Sequence, residues 1–271
     1  MLHDDDAEPF GGWMDKPYAE TVRRNARRWE AMAHHRLGMT VEDHRTGDSP
    51  LWTEEVALLG ELRGQRVLHL ACAVCDEGIA MAMAGAVVTG LDAAPTHLQT
   101  GREKAAALGV EVDLRLGDMM ALPDDLGPFD LAYISSGGLC WVPDLDDWLE
   151  GVSRVLKPGG RLLITEHHPL WKSLGVAGER ALVVQEDYFG QRELAGPRDP
   201  GKSAIGVAQT AESPDELHSF VWGIGAIVSA LLRHGFRIAA LQEFPDAAMY
   251  GGLGDAADCI PAVYILVGER V

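Results

Sequence analysis

Five apolar stretches separated by helical patterns are the feature that most constrains how this 271-residue chain can fold. The stretches are typical of buried strands and cover residues 66–71, 86–92, 110–118, 129–136 and 160–167. Helical patterns fill the spaces, at residues 77–85, 95–109 and 143–160. Strands that alternate with helices at this spacing pair in parallel, with helices on both faces of the sheet and right-handed crossovers. The sequence therefore predicts an α/β fold built on one mostly parallel sheet.

The C-terminal part of the chain breaks this alternation. Residues 169–215 are rich in glycine, proline and charge, and we interpret them as a lid inserted over the carboxyl edge of the sheet. A helical pattern at 218–235 is followed by strands at 236–244 and 260–270, which a short connection joins. Such a connection favours an antiparallel pair. The expected sheet has seven strands, of which the last is antiparallel.

Before the first strand, the sequence predicts a helical region. Residues 18–37 carry apolar side chains at helical spacing, and a second helix is expected after them. Its predicted N-cap is Ser49, with Pro50 in the first turn and Gly60 and Gly64 at the end. We divide the chain into a flexible acidic lead, an N-terminal helical cap and an α/β domain, at residues 1–17, 18–64 and 65–271.

The charge of the chain argues against nucleic acid as a partner. Its formal net charge is −18, from 23 basic and 41 acidic residues. So acidic a chain repels phosphate backbones and gains nothing from counterion release. No stretch reaches the roughly 18 apolar residues that a membrane span requires, and the acidic, polar residues 1–12 are unlike a signal peptide. We expect a cytoplasmic protein that binds neither nucleic acid nor membrane, and we leave a homodimer open.

Two of the four cysteines, Cys72 and Cys75, form a C-x2-C pair in the turn after the first strand. Such a pair suggests zinc or redox chemistry, but no second cysteine or histidine pair has the spacing of zinc ligands. We therefore expect no metal and interpret the two cysteines as small residues packed in a tight turn. So few cysteines suit a reducing compartment better than a disulfide scaffold.

The same turn, residues 71–78, is the expected ligand site, because open parallel sheets bind ligands beyond the carboxyl ends of their strands. Asp92 ends the second strand, where its carboxylate can accept from two ribose hydroxyls or instead cap the next helix. The turn holds one glycine, Gly78, beside Asp76 and Glu77, whose charges would repel a pyrophosphate. A ribose-bearing cofactor with a cationic end, such as S-adenosylmethionine, fits better than a dinucleotide.

Several motifs of this region stand in the order of a known family. They are VLHLACAVCDEG at the first strand, GLDAAP at the second, LRLGDMMALP at the third, and the LKPGG turn into the fifth. On these motifs, the sequence from about residue 20 to 271 resembles the class I S-adenosylmethionine-dependent methyltransferases. The LHL start of the first strand, the CWVPDLDDW run and the HP pair after the fifth strand resemble a bacterial branch of that family that acts on small molecules. The resemblance implies a Rossmann-like fold with S-adenosylmethionine as the cofactor.

The resemblance also implies roles for individual residues. Asp92 would bind the ribose hydroxyls, and Asp118 would accept from the adenine amino group rather than serve only as a turn-forming residue. Trp29 would close over the cofactor from the N-terminal helix. The full set of expected cofactor contacts is Trp29, His69, Ala71, Ala73, Asp92, Ala93, Asp118, Met119, Ser135 and Ser136.

For the acceptor side we predict a histidine and aromatic walls. His168 and His167 follow the fifth strand, where a neutral imidazole can take a proton from an acceptor, and the resemblance favours His168 as the catalytic base. Shaping the pocket through hydrogen bonds is the alternative for both. The expected substrate contacts are Tyr18, Leu139, Tyr188 and Trp222, of which the last two could equally pack the lid against the sheet.

These features predict an enzyme that transfers a methyl group in line from S-adenosylmethionine to a small-molecule acceptor in bacterial secondary metabolism. The acceptor atom is an oxygen, a nitrogen or a carbon. Three alternatives stay open: a non-methylating enzyme such as a cyclase, a nicotinamide dehydrogenase, and a non-catalytic binding protein. Formation of S-adenosylhomocysteine separates the first from a methyltransferase, and cofactor binding separates the other two.

Overall fold

The computed structural model describes residues 15–135, 137–189, 194–195 and 217–271. Its helices are α1 (Ala19–Met32), α2 (Val41–Thr46), α3 (Thr53–Leu59), α4 (Asp76–Met83), α5 (Pro95–Leu108), α6 (Leu145–Val155), α7 (Pro169–Ser173) and α8 (Ile224–Arg233). Its strands are β1 (Arg66–Leu70), β2 (Val87–Asp92), β3 (Asp113–Leu116), β4 (Phe129–Ile134), β5 (Leu156–His167), β6 (Leu174–Gly178), β7 (Ala181–Val184), β8 (Leu194–Ala195), β9 (His218–Ser219), β10 (Phe236–Phe244) and β11 (Val263–Arg270). None of these helices, within the described ranges, is both long and apolar enough to cross a membrane.

Seven of the strands form one sheet in the order β10-β11-β5-β4-β1-β2-β3. β1 pairs in parallel with both β2 and β4, while β11 lies antiparallel between β5 and β10. The chain thus builds the sheet outward from β1, first through β2 and β3 and then, on the other side, through β4 and β5. This reversal makes the carboxyl ends of β1 and β4 the topological switch point, where such sheets bind ligands. The predicted α/β fold with an antiparallel last strand is confirmed.

The two faces of β1 belong to two separate apolar cores. Leu68 and Leu70 contribute to a core shared with α6 and α8, whereas Val67 contributes to a core shared with α3, α4 and α5. A strand covered on both faces is apolar at consecutive positions instead of alternating. This burial explains why β1 was recognisable from the sequence, and it places helices on both faces as predicted.

Helix α6 illustrates how local sequence positions a covering helix. The Asp144 carboxylate accepts from the N–H groups of Asp146 and Asp147 at 2.9 and 3.0 Å, which caps the first turn. The buried residues follow helical spacing and are Leu145, Trp148, Leu149, Val152 and Val155. Burial of such a stripe, rather than intrinsic propensity, supplies most of the stability of a helix this short.

The N-terminal helices differ from the prediction in where they begin and end. α1 ends at Met32, short of its predicted end. The helix expected next, with its cap at Ser49, corresponds to α3, which begins only at Thr53, and Ser49 and Pro50 lie in the connection before it. An additional helix, α2, precedes this connection, and Thr40 and Asp43 cap it by exchanging side-chain to backbone hydrogen bonds. The predicted cap at Ser49 is wrong, because Trp52 is the N-cap of α3 and its N–H donates to the Glu55 carboxylate at 2.8 Å.

Two strand ends also differ from the prediction. β3 covers only Asp113–Leu116 of the predicted range 110–118, and β5 begins at Leu156, so that the LKPGG sequence is part of the strand. The end of α3 was predicted correctly: Gly60, with φ of 69°, stands at its C-cap.

Part of the predicted lid folds against the connection between β10 and β11. Within residues 169–189, α7 leads into the hairpin of β6 and β7. Trp171 of α7 shares an apolar cluster with Tyr250 of that connection. Apart from residues 194–195, the rest of the predicted lid lies outside the described residues, as do residues 1–14 of the predicted acidic lead. The division into lead, cap and domain stays a prediction.

Candidate functional site

A cavity of about 1020 Å³ opens at the carboxyl ends of β1, β2 and β4. One side, which we call the floor, consists of the turn after β1, the end of β2 and the loops after β3 and β4. The opposite side, which we call the roof, consists of α1 and residues 34–39. Ligand cavities typically measure about 300–1,000 Å³. This cavity therefore has room for a nucleoside cofactor with a second small molecule beside it.

The turn after β1 holds three non-glycine residues in the left-handed region. Ala71, Ala73 and Cys75 have φ angles of 47°, 47° and 63°. The Cys75 N–H donates to the Cys72 carbonyl at 2.7 Å and closes the turn. Residues other than glycine pay roughly 1–2 kcal/mol for this conformation, yet an alanine still leaves room for a ligand. Ala71 and Ala73 both line the cavity, where the sequence analysis expected them.

Asp92 joins this turn to the end of β2. Its Oδ2 accepts from the Ala73 N–H at 2.8 Å, and its Oδ1 accepts from the Ala94 N–H at 2.9 Å. A carboxylate has about four acceptor positions, so that positions remain for ribose hydroxyls. Because Asp92 also lines the cavity, the two roles considered from the sequence, ribose ligand and support for the next helix, are compatible.

Asp118 follows β3 and lines the cavity beside Gly117 and Met119. Its Oδ1 accepts from the Met120 N–H at 2.7 Å, which leaves the other oxygen to a ligand. Burial raises the pKa of Asp118 to about 6, and the nearby charge of Asp92 adds to the rise. A ligand amino group that donates to this carboxylate would favour its ionised form. Both aspartates expected to contact an adenosine group thus reach the same cavity.

The raised pKa of Asp118 predicts a pH-dependent stability. Such a carboxyl supports folding while it is protonated, and this contribution is lost as the pH rises from its ordinary pKa of 3.8 through about 6. Asp118→Asn does not titrate and keeps an oxygen for Met120. We expect the variant to exceed the wild type in free energy of unfolding by up to about 3 kcal/mol at about pH 8, and by little at about pH 4. Urea unfolding at both pH values measures this difference.

The matched control is Asp125→Asn, at an exposed position outside the cavity lining. Its stability relative to the wild type should not change between the two pH values. A stability gain of Asp118→Asn that is equal at both pH values would show that the buried charge is not its cause.

Trp29 is the centre of the roof. Its ring packs edge-on against Trp141, with 5.4 Å between centroids, and lies 6.1 Å from the ring of His97. The guanidinium of Arg36 stands over the same indole at 5.4 Å. All four residues line the cavity. Trp29 therefore covers the cavity, while its closure over a cofactor stays a prediction. Its three neighbours were not recognised from the sequence.

A buried ion pair fastens the roof to the floor. Asp76 is hydrogen-bonded to Lys104 Nζ at 2.7 Å, His44 Nε2 at 3.1 Å and the Met39 N–H at 2.7 Å. A β-carbon on Gly38 would stand 2.0 Å from Oδ2 of Asp76, so this position excludes a side chain. The charge of Asp76, which the sequence analysis expected to repel a pyrophosphate, is instead compensated by Lys104.

The loop after β4 is held by a buried carboxylate that the sequence analysis missed. Glu166 on β5 accepts from the N–H groups of Gly137 and Leu139 at 2.9 and 2.8 Å. Burial acts to raise the pKa of Glu166, but the hydrogen bond and charge of His167 outweigh it, and the pKa lies below its ordinary value. Gly137 lines the cavity, so Glu166 shapes the floor from behind. The available signal was an acidic residue inside an apolar strand pattern, which requires partners.

The geometry does not support the catalytic role predicted for His168. Its Nδ1 accepts from the Leu170 N–H at 3.1 Å and caps α7, while its Nε2 lies 2.7 Å from Oε1 of Glu243. With Nδ1 as acceptor, Nε2 carries the proton and donates to Glu243, so no lone pair is left to take a substrate proton. Burial lowers the pKa of His168, against the effect of Glu243. His168 also lies outside the lining of the cavity, and we correct its role to that of a helix cap.

Three residues predicted for the acceptor side meet at a smaller cavity instead. His167, Leu139 and Trp222 line a space of about 20 Å³ next to Glu166. That volume holds roughly one water molecule and is too small for an acceptor. The contacts predicted for these three residues are therefore not supported by the arrangement.

Three further predicted residues serve the fold rather than the cavity. His69 is buried in β1, with Nδ1 3.8 Å from the Cys75 sulfur. The Tyr18 hydroxyl donates to Asp147 at 2.7 Å, and the Tyr188 hydroxyl accepts from the first N–H of α8 at 3.3 Å. None of the three lines the large cavity, and we correct their predicted ligand contacts accordingly.

The remaining predicted cofactor contacts are small or apolar side chains. Ala93, Met119 and Ser135 line the cavity as expected, whereas Ser136 lies outside the described residues. The predicted residues that line the cavity therefore lie mostly at the ends of β2 and β3 and at the turn after β1, and their contacts with a cofactor stay a prediction.

The paired cysteines of the turn contact the sheet. A β-carbon on Gly90 would stand 2.9 Å from the sulfur of Cys72 and 3.2 Å from that of Cys75. This packing agrees with their interpretation as small residues in a tight turn. Among the residues that the structure describes, no group of three or more His, Cys, Asp or Glu side chains is arranged to hold a metal ion.

Comparison with known proteins identifies the segment that contains most of the floor. Residues 67–160 match the methyltransferase domain family. The demethylmenaquinone methyltransferase of Bacillus cytotoxicus is 37% identical over 121 residues, which are 42% of this chain and 50% of the relative. The match thus spans half the length of that curated relative.

Solved structures extend the likeness to most of the chain. An S-adenosylmethionine-dependent methyltransferase from Mesorhizobium loti has a TM-score of 0.59 and 24% identity, over 79% of this chain and 94% of its own. The [4+2]-cyclase SpnF has a TM-score of 0.56 and 16% identity, over 92% of this chain and 96% of its own. At these identities the likeness concerns the fold alone. A methyltransferase and a cyclase both have this fold, so the fold does not decide between the two activities.

Proposed function

We propose that this chain, whose residues 67–160 match the methyltransferase domain family, is a class I S-adenosylmethionine-dependent methyltransferase that transfers a methyl group to a small-molecule acceptor. One observation carries the proposal: Asp92 and Asp118, at the ends of neighbouring strands, line the same cavity under Trp29. A carboxylate beside each half of an adenosine group, under an aromatic cover, suits a nucleoside cofactor placed at the switch point of the sheet.

The charges of the cavity favour a cofactor that is cationic and lacks phosphates. Asp92, Asp118 and Glu77 line it, while Arg36 is the only arginine or lysine among the described residues of its lining. Carboxylates stabilise a nearby sulfonium or ammonium and repel a pyrophosphate. The described residues therefore fit S-adenosylmethionine better than a nicotinamide dinucleotide.

For methyl transfer, the main task of the protein is to position the acceptor in line with the methyl group. When bound, S-adenosylmethionine supplies a methyl carbon whose bond to sulfur breaks as the acceptor's electron pair forms the new bond, and neutral S-adenosylhomocysteine leaves. Asp92 would hold the ribose, Asp118 would hold the adenine, and Trp29 would cover the cofactor from the roof. Alignment and exclusion of water supply most of the rate for a reaction of this kind. The role of His168 as a helix cap is compatible with such a mechanism.

We propose an apolar, aromatic small molecule as the acceptor. Whereas the aspartates lie on the floor, the roof presents mostly apolar side chains to the cavity, among them Val22, Met32, Leu37 and Trp29. A curated relative is named a demethylmenaquinone methyltransferase, and that name gives demethylmenaquinone as the acceptor of that protein. Aromatic and apolar walls bind such a molecule through burial of its surface.

Turnover with S-adenosylmethionine and a naphthoquinol acceptor tests this function. Mass spectrometry should detect S-adenosylhomocysteine together with an acceptor that has gained one methyl group. Calorimetry with S-adenosylhomocysteine tests the cofactor site without any acceptor. Tight binding with no S-adenosylhomocysteine formed across a panel of acceptors would favour a non-methylating enzyme such as a cyclase. Binding of NADH without binding of S-adenosylhomocysteine would refute the proposal.

A further inference from the structure

His97 is a buried polar side chain at the cavity wall, and none of the residues that the structure describes forms a hydrogen bond with it. It is 2% exposed and belongs to the cavity lining. Neither ring nitrogen forms a hydrogen bond within the described part of the chain. Buried polar groups are nearly always paired in folded proteins. An imidazole left unpaired at the wall of a cavity therefore points to a partner that arrives with the ligand.

The backbone explains why this ring faces the cavity. Pro95 begins α5, and the bond from the Ala94 N–H to Asp92 ties the start of this helix to the end of β2. Helical side chains lean toward the N-terminus of their helix, which here directs His97 back toward Asp92. Its Nδ1 lies 3.5 Å from Oδ1 of Asp92, beyond good hydrogen-bond distance, and its ring lies 6.1 Å from that of Trp29.

A ribose hydroxyl bound to Asp92 would be better satisfied with a hydrogen-bond donor beside it. Asp92 as a carboxylate only accepts hydrogen bonds, so a hydroxyl bound to it uses its O–H as the donor and still has oxygen lone pairs that can accept. A neutral imidazole has one N–H group that can donate to such an oxygen. Asp92 and His97 together thus offer an acceptor and a donor at one edge of the cavity.

We propose that His97 is a ribose-binding residue, which donates a hydrogen bond to a hydroxyl that Asp92 also holds. The ligand class is a nucleoside with a free 2′,3′-diol. This inference rests on the proposed function and deepens it, because it adds a second side chain to the recognition of the cofactor. It also assigns the unpaired imidazole a role that the motifs of the sequence did not indicate.

Calorimetry with S-adenosylhomocysteine and its 2′-deoxy and 3′-deoxy analogues tests the inference. The variants are His97→Phe, which keeps a ring without nitrogen, and His97→Gln, which restores an N–H donor. We expect His97→Phe to lose roughly 3- to 10-fold in affinity for S-adenosylhomocysteine, the usual effect of one hydrogen bond. One of the two analogues lacks the ribose hydroxyl to which His97 donates. For that analogue, His97→Phe and the wild type should have about the same affinity. His97→Gln should recover part of the lost affinity.

Two results would overturn the inference while leaving the proposed function standing. One is wild-type affinity of His97→Phe for S-adenosylhomocysteine. The other is an equal loss for all three ligands, which would show that His97 only packs against the cavity. Absence of S-adenosylhomocysteine binding by the wild type would refute the proposed function and this inference together. His234→Phe, outside the cavity lining, is the control substitution, and thermal unfolding verifies that each variant is folded.

Discussion

Replacement of Asp92 with alanine should lower the affinity for S-adenosylhomocysteine by roughly 10- to 150-fold, because hydrogen bonds to a charged group contribute about 1.5–3 kcal/mol. The structure adds a second reason for a large effect. The carboxylate holds the N–H of Ala73 in the strained turn and the N–H of Ala94 before α5. Its loss therefore removes the ribose contact and also releases the backbone that surrounds it. Calorimetry with S-adenosylhomocysteine measures the change.

Two further variants separate these contributions. Asp92→Asn retains the size of the side chain but turns an N–H₂ group toward one of the two backbone donors, so it should weaken binding as well. Asp125→Ala removes an exposed aspartate outside the cavity lining and should bind like the wild type. If Asp92→Ala kept the wild-type affinity, the ribose would lie elsewhere in the cavity and the assignment of the site would fail.

The sheet could be predicted because its signals are local. Buried parallel strands are continuous apolar runs, and each of β1, β2, β4 and β5 is such a run followed or preceded by a helical pattern. Once the sheet is known, the carboxyl ends of neighbouring strands must lie together. The position of Asp92 at the cavity therefore followed from the strand pattern, whereas that of Asp118 was expected from the resemblance to the methyltransferase family.

The roof could not be predicted in the same way. Its position depends on Asp76, which is far in sequence from its partners Met39 and His44. No local pattern shows that an acidic residue at the start of a helix will pair with a segment of the N-terminal cap. The residues of the roof other than Trp29, and with them the shape of the acceptor side, became visible only in the structure.

The misassignment of His168 has a different cause. A proline favours the first position of a helix, and the residue before it is then the N-cap. Pro169 follows His168 directly, and the imidazole accepts from the Leu170 N–H as an N-cap side chain does. The sequence His168–Pro169 thus already indicated a helix N-cap. We instead gave more weight to the position of the histidine at the carboxyl edge of the sheet, where a side chain can face a ligand.

Replacement of Lys104 with methionine should lower the free energy of unfolding by about 3–5 kcal/mol, the usual effect of leaving one charge of a buried pair alone. The side chains of Lys104 and Asp76 are 9% and 8% exposed, and their nitrogen and oxygen atoms are 2.7 Å apart. Methionine fills a similar volume, so the effect should come from the Asp76 carboxylate, which then keeps only His44 and the Met39 N–H as partners. Urea unfolding measures the loss. Because Asp76 also holds the Met39 N–H, the roof should loosen and the affinity for S-adenosylhomocysteine should fall too.

The double variant Asp76→Asn with Lys104→Met should regain most of the stability, since it leaves no isolated charge while asparagine can still accept from Met39. The matched control is Lys157→Met. Its ion pair with Asp130 is as short, at 2.6 Å, but the two side chains are 39% and 32% exposed. Exposed pairs contribute only about 0–1 kcal/mol, so this control should change stability little. Equal losses of unfolding free energy for Lys104→Met and Lys157→Met would show that burial of the Asp76 charge is not the cause of the loss.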